Sequence, residues 1–300
     1  MSSAAGNHSR RPSVLQPLAA AAESAAVFDA PAGAIGARVR DLLSGVPLKQ
    51  ALSGSWLGHA VHPMLTDVVI GSFTSATLLD LIGGEGAAGA SERLIGIGIA
   101  AYGPTALTGA SDWADSESAD ARVRRVGLVH AVTNATALSF YVASLAARRR
   151  GARGRGVVLG LGGATLLAAG AFLGGHLSFA RGVGVDQTAF DPGPDDWMPA
   201  ADASVLADGR PTRVVVDETP VLLLRDGDRF FAIHDRCSHR GCSLSDGEVD
   251  GDEIVCPCHG SRFDRRDGSV RQGPATAPQP AFQVRLQDER IEVRRLSTAG

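Results

Sequence analysis

Residues 61–180 carry four long apolar runs, whereas residues 198–300 carry short runs in which apolar and polar positions alternate. The long runs fall at about 61–83, 94–110, 126–147 and 156–180. The last two contain no Asp, Glu, Lys or Arg. A hydrocarbon core about 30 Å thick needs roughly 20 residues of helix, which these two satisfy outright. The first run holds Asp67 and Asp80 and the second holds Pro104, but both share the pattern. Gly156 and Gly160, and again Gly170 and Gly174, place small side chains about one helical turn apart, as close packing in lipid favours. A buried soluble bundle is the alternative, although the fourth run has no polar face to offer water.

The short runs lie at 212–216, 220–225, 229–234, 253–255, 282–286 and 290–294. They read as strands, with Asp226-Gly227-Asp228 turning a hairpin between the second and third. Residues 181–197, with four Asp and two Pro, have no periodicity and read as a tether. Residues 1–55 are rich in Ala and Ser and read as a flexible tail with one short helix over 35–43. The fold class is therefore α + β and multidomain: a flexible tail (1–55), a four-helix transmembrane bundle (56–180), a linker (181–197) and an all-β domain (198–300). No fixed-period repeat is apparent.

Composition agrees with a membrane portion. Hydrophobic residues make up 44% of the 300 and aromatics 5%, and the mean hydropathy of +0.06 is high for a wholly soluble chain. A net charge of −3, with no basic block interleaved with aromatics, gives nucleic-acid binding no support. Ser9-Arg10-Arg11 is a faint match to a twin-arginine signal, but Pro17 and Glu23 break the apolar run after it.

The chemistry is concentrated in two short stretches. Cys237-Ser238-His239-Arg240-Gly241-Cys242 is followed by Cys256-Pro257-Cys258-His259-Gly260-Ser261-Arg262-Phe263. All four cysteines of the chain lie here. Two thiolates and two imidazoles can hold a [2Fe–2S] cluster with cysteines on one iron and histidines on the other. Short Cys/His spacings also suit zinc.

The order Cys-x-His then Cys-x-x-His, with Gly273-Pro274-Ala275 downstream, resembles the Rieske iron–sulfur proteins. The resemblance implies Cys237 and Cys256 as ligands of the inner iron and His239 and His259 as ligands of the outer one. It implies a disulfide between Cys242 and Cys258, and a Ser261 hydroxyl donating to a cluster sulfur. Where relatives of the cytochrome bc type have a tyrosine, this chain has Phe263, so one such donor is missing and a lower potential is expected. Imidazole ligation places Rieske potentials at roughly −150 to +300 mV.

The apolar region resembles a four-helix membrane family often fused to Rieske domains. The match rests on Gly58-His59-Ala60-Val61-His62-Pro63, Asp67, Asp80, Gly109, Asp112-Trp113, His130, Asn134 and Gly175-His176. Four spans bring the starts of the first and third helices to the same face as the ends of the second and fourth. His59, His62, His130 and His176 are thus expected near the face that carries the cluster. They are candidates for a second site holding haem, a metal or a quinone, or else are interfacial side chains. Loop arginines 148, 149, 150, 153 and 155 oppose Arg122, Arg124 and Arg125 in the orientation argument. The expectation is a multi-pass protein of the bacterial plasma membrane with its cluster domain on the cytoplasmic side.

The expected function is one-electron transfer at the membrane between a quinone or protein donor and a protein acceptor. It is an oxidoreductase-type carrier, with lipid as the other partner. A ferredoxin component of an oxygenase, or a redox sensor anchoring a membrane complex, are the other readings.

Overall fold

The structure, a computed structural model, describes residues 15–43 and 45–296. Seven α-helices precede ten strands among the described residues. The twin-arginine match at residues 9–11 lies outside them.

Residues 16–53 are not a loose tail. They form α1 (Gln16–Ser24), α2 (Asp29–Leu42) and α3 (Val46–Ser53). Alanine is the best helix former, so an Ala-rich stretch that looks featureless by hydropathy still folds when something can hold its faces. Here Ala19, Ala22 and Ala32 are buried against the bundle. Ion pairs fasten them: Arg125 to Asp29, and Arg40 to the fully buried Glu117, which Arg124 also binds at 2.7 Å.

The bundle consists of α4 (Val61–Ile82), α5 (Ala88–Ala114), α6 (Ala121–Arg149) and α7 (Arg153–Gly175), the last continued by one π-helical turn, His176–Ala180. All four are long and apolar enough to cross a membrane. α5 and α6 are longer than the apolar runs predict because polar turns extend beyond the apolar stretch. Asp120 caps α6, its carboxylate accepting from the Arg122 amide at 2.7 Å.

The helices form two hairpins, α4–α5 and α6–α7, related by an internal two-fold repeat that the sequence reading misses. His62, Phe73 and Asp80 on α4 correspond to His130, Tyr141 and Arg148 on α6, with spacings of 11 and 18 residues in both. Across the bundle, equivalents meet. Phe73 and Tyr141 stack with centroids 3.7 Å apart. Arg148 Nη1 donates to Asp80 Oδ1 at 2.9 Å, with both side chains almost fully buried. The second helix of each hairpin repeats too. Gly98 presses on Phe73 and Gly109 on His62, as Gly163 presses on Tyr141 and Gly174 on His130.

The C-terminal domain has ten strands, the first two being β1 (Met198–Asp202) and β2 (Thr212–Val216) and the last two β9 (Ala281–Gln287) and β10 (Arg290–Arg295). With the six strands between them they form a six-stranded sheet, ordered β1-β10-β9-β4-β3-β2, and a four-stranded sheet, β5-β6-β7-β8, in which neighbouring strands run antiparallel. In the large sheet, β3 (Thr219–Asp226) and β4 (Arg229–His234) form the expected hairpin, with Asp226 paired to Arg229. β3 turns Val221 and Leu223 to one core and Leu222 and Leu224 to another. Burial on both faces explains its unbroken apolar run. The small sheet comprises β5 (Glu248–Asp250), β6 (Glu253–Val255), β7 (Arg262–Asp264) and β8 (Val270–Gln272). Three of these four lie outside the runs that the sequence pattern predicts, because strands of three residues give too short a pattern to detect.

The linker is packed rather than free. Asp191 accepts from the Thr219 hydroxyl and lies 3.1 Å from His234 Nε2, and the Gln187 amide donates to the Ser238 carbonyl at 3.0 Å. Its aspartates, which suggest solvent from sequence, are partly spent on these bonds.

Candidate iron–sulfur site

Two loops project from the small sheet's side of the domain, one after β4 and one between β6 and β7. They repeat the same backbone frame. The Cys237 amide donates to the Cys242 carbonyl at 2.8 Å, and the Gly241 amide donates back to the Cys237 carbonyl at 2.8 Å. In the second loop the Cys256 amide donates to the Ser261 carbonyl at 2.8 Å and the Gly260 amide to the Cys256 carbonyl at 3.0 Å. Each frame closes only because its fifth residue is left-handed: φ is 77° at Gly241 and 72° at Gly260, a region that disfavours any residue with a Cβ.

Cys242 and Cys258 are joined by a disulfide that ties one loop to the other. Cys237 and Cys256 are free and buried. They pack with Leu222, Ile254 and Phe263 in the core beneath the loops. The His239 and His259 rings lie with centroids 5.0 Å apart, edge to face.

Further bonds hold the frame rigid. Gln279 accepts from the Ser238 amide at 2.9 Å and donates to the Arg236 carbonyl at 2.9 Å, anchoring the first loop. Ser261 Oγ accepts from the Ala275 amide at 2.9 Å, which fixes the hydroxyl and leaves its proton to donate elsewhere. That bond also holds the Gly273-Pro274-Ala275 loop over the site.

These residues fit a [2Fe–2S] cluster. Among the described residues no three His, Cys, Asp or Glu side chains converge on one ion position. The donors come instead as a sulfur pair and a nitrogen pair, one pair per iron of a binuclear centre. His239 Nδ1 is buried without a hydrogen-bond partner, a costly state unless something ligates it. Burial lowers the affinity of both imidazoles for a proton, and the Arg240 and Lys49 cations lower it further, so both rings are in the neutral form that ligates metal. The two thiols share a hydrogen bond. That bond lowers Cys256 to about 7, and together with burial it pushes Cys237 up. When bound, the cluster accepts and releases one electron. The residues above would hold it, with Cys237 and Cys256 on one iron and His239 and His259 on the other.

The histidine edge of the site is largely covered by the helical region, a docking that sequence reasoning did not foresee, with His239 and His259 each left partly exposed. Asp115, just past α5, places Oδ2 3.4 Å from His239 Nε2, and Lys49 of α3 lies 2.8 Å from the same oxygen. Lys49 also donates to Ser111 Oγ at 2.8 Å. Arg240 Nη2 donates to the Asp112 carbonyl at 3.2 Å. A cavity of about 220 Å³ is lined by His259, Lys49, Ser111, Ala114, Asp115 and Arg40, among others. The Asp112 carbonyl thus reaches the cluster face. No local pattern marks Lys49, Asp115 or Gln279, since each acts on a segment far away in sequence.

The membrane histidines divide into two groups. His62 and His130 sit inside the bundle. His59 is exposed, with Nδ1 3.1 Å from the Ala60 carbonyl. His176 is tied 2.6 Å from Glu23 of α1, beside Arg181.

Residues 196–283 match the family model described as Rieske [2Fe-2S] domain, and residues 58–187 match the model described as predicted membrane protein (DUF2231). Among curated proteins, the anthranilate 1,2-dioxygenase ferredoxin subunit of Burkholderia cepacia is 33% identical over 33% of this chain and 91% of its own length. Ferredoxin CarAc of Metapseudomonas resinovorans is 37% identical over 32% of this chain and 92% of its own. Cytochrome b6-f complex iron-sulfur subunit 1 of Synechocystis sp. is 37% identical over 31% and 54%. All three similarities concern about a third of this chain. With two near full-length relatives above 30% identity and a donor set arranged in sulfur and nitrogen pairs, the chain belongs to the Rieske [2Fe–2S] family, and its C-terminal domain is a [2Fe–2S] electron-transfer domain.

Proposed function

We propose that the protein is a membrane-anchored one-electron carrier whose cluster, on Cys237, His239, Cys256 and His259, exchanges electrons with its own helical domain. The carrying observation is the closure of the histidine edge onto the bundle, through His239 with Asp115 and His259 with the adjoining cavity. The histidine-bound iron is the one that takes the electron, so the face presented to the helices is the redox-active one. The four apolar helices serve as the anchor.

The experiment is electron paramagnetic resonance on membranes containing the full chain, reduced stepwise without oxygen. The expected result is a rhombic signal whose mean g value is below that of all-thiolate clusters and which sediments with the membranes. Membranes without it, or a signal confined to the soluble fraction, overturn the proposal.

A ferredoxin that serves a separate oxygenase is the second reading, favoured by the similarity to the anthranilate 1,2-dioxygenase ferredoxin subunit. It requires the histidine edge to open to a soluble partner. Fast reoxidation of the reduced chain by an added Rieske-type oxygenase component would favour it over transfer within the chain.

A further inference from the structure

The paired histidines of the two hairpins form a site that the cluster does not use. His62 Nδ1 lies 3.0 Å from the Thr105 carbonyl, and His130 Nδ1 lies 2.8 Å from the Gly170 carbonyl. A carbonyl only accepts, so each ring must carry its proton on Nδ1, which leaves Nε2 as a bare lone pair. Four residues beyond each accepting carbonyl stands the glycine that lies against the same ring, Gly109 for His62 and Gly174 for His130. A Cβ there would come within 2.6 and 3.0 Å of the respective ring carbon. The arrangement is thus made twice, once in each hairpin.

The direction of the rings follows from helical geometry. Phe73 and Asp80 lie 11 and 18 residues beyond His62, close to three and five whole turns, so all three share one stripe of α4. The same holds for Tyr141, Arg148 and His130 on α6. Phe73 and Asp80 meet their equivalents across the bundle. His62 and His130 occupy the same stripes and so face the opposite hairpin. Asn134 Nδ2 lies 3.3 Å from both nitrogens of His130. An atom equidistant from both is on neither lone-pair axis, so His130 Nε2 stays available.

We propose that His62 and His130 are the two axial ligands of a haem held between the hairpins. Neutral imidazoles whose far nitrogen donates to a carbonyl are oriented metal ligands. A bare divalent ion needs about four donors, and among the described residues no third His, Cys, Asp or Glu joins these two. A haem brings four nitrogens of its own and needs only the two axial ones. An oxidised quinone is disfavoured because its carbonyls require donors, whereas both Nε2 atoms are acceptors; a quinol's hydroxyls can donate to them, a case that reduction of the cluster by a quinol separates. The site also lies close to the cluster. The Thr105 carbonyl that holds His62 and the Asp112 carbonyl that binds Arg240 are seven residues apart on α5, about 10 Å of helix. This extends the electron-transfer reading by naming the redox group in the helices, but it rests on different residues.

The test is an absorption spectrum of the full chain extracted in detergent from haem-replete cells, followed by titration with hemin. The expected result is one haem per chain with the sharp reduced α-band of a six-coordinate low-spin iron. His62→Ala and His130→Ala should each abolish that band, while the paramagnetic signal of the cluster persists and shows that the chain has folded. His62→Met, which keeps a ligand, should retain haem with a shifted band. Protein that contains only cluster iron and takes up no hemin overturns the proposal, as does a haem band that survives both alanine variants. Haem-free protein whose cluster is reduced by a quinol in a His62-dependent manner also overturns it, in favour of a quinol site. The cluster signal and the haem band are read separately, so failure of one does not hide failure of the other.

Discussion

Oδ2 of Asp115 lies 3.4 Å from Nε2 of His239, and Nζ of Lys49 lies 2.8 Å from that same oxygen. A carboxylate from the bundle therefore stands beside His239, a proposed cluster ligand, and its charge is answered by a lysine from the N-terminal helices. A negative charge near the cluster opposes addition of an electron, and a positive one favours it. Asp115→Asn leaves Lys49 unopposed and should raise the midpoint potential. Lys49→Met leaves Asp115 unopposed and should lower it. Each shift should be on the order of 50 mV, equivalent to about 1 kcal/mol for a one-electron couple. Opposite signs in a redox titration are the check.

Phe263 is fully buried and packs in the core that contains Cys237 and Cys256. Its ring has no donor to offer the cluster sulfurs. Phe263→Tyr should raise the midpoint potential, because a hydroxyl donor stabilises the reduced, more negative cluster. A hydroxyl that misses the sulfur would be buried without a partner at a cost of about 1–3 kcal/mol. An unchanged midpoint with a lower unfolding temperature would therefore refute the expectation.

Asp80 and Arg148 form the ion pair between hairpins, supported by Ser91 and Ser144. Breaking a buried pair strands its partner's charge and typically costs about 3–5 kcal/mol. Asp80→Leu alone and Arg148→Met alone should each sharply lower the thermal midpoint of the detergent-extracted protein. The double variant should recover most of that loss, since it leaves no unpaired charge. A double variant as unstable as the sum of the singles would contradict the assignment.

Glu23 ties α1 to the end of the bundle. Burial on its own raises its pKa, but hydrogen bonds from Arg181 and His176 outweigh this and hold the carboxyl below its usual value of 4.5. A folded-state pKa below the unfolded one stabilises the docked helix fully above the unfolded value. That contribution fades as the pH falls through the lower, folded value. Proteolysis within residues 15–53 should therefore accelerate as the pH drops below about 4.5. Glu23→Gln should show the faster cleavage already at neutral pH and lose part of the pH dependence, the remainder belonging to Asp29, whose pKa the Arg125 hydrogen bond lowers.

The cluster loops were legible because each donor lies within six residues of its partner in the same loop, and because two glycines and a proline mark the turns. The four apolar helices were legible from length alone. The docking of the two domains was not, since Lys49, Asp115 and His239 come from three distant segments and none carries a local signal. The N-terminal helices hid behind alanine, which is neutral in hydropathy yet strong in helix formation. The internal repeat escaped because few positions are identical between the halves, and apart from His62 and His130 these are small or apolar residues. Phe73 answers to Tyr141, and Asp80 to Arg148, so the matching positions complement one another rather than copy one another.

That complementarity bears on assembly. In a symmetric pair of identical hairpins, a side chain beside the axis would confront its own copy, aspartate against aspartate or arginine against arginine. The Asp80–Arg148 contact is open only to unlike halves, so joining the hairpins in one chain lets them diverge into a mutually exclusive match. The same contact discourages either hairpin from leaving its mate for an identical hairpin of another molecule.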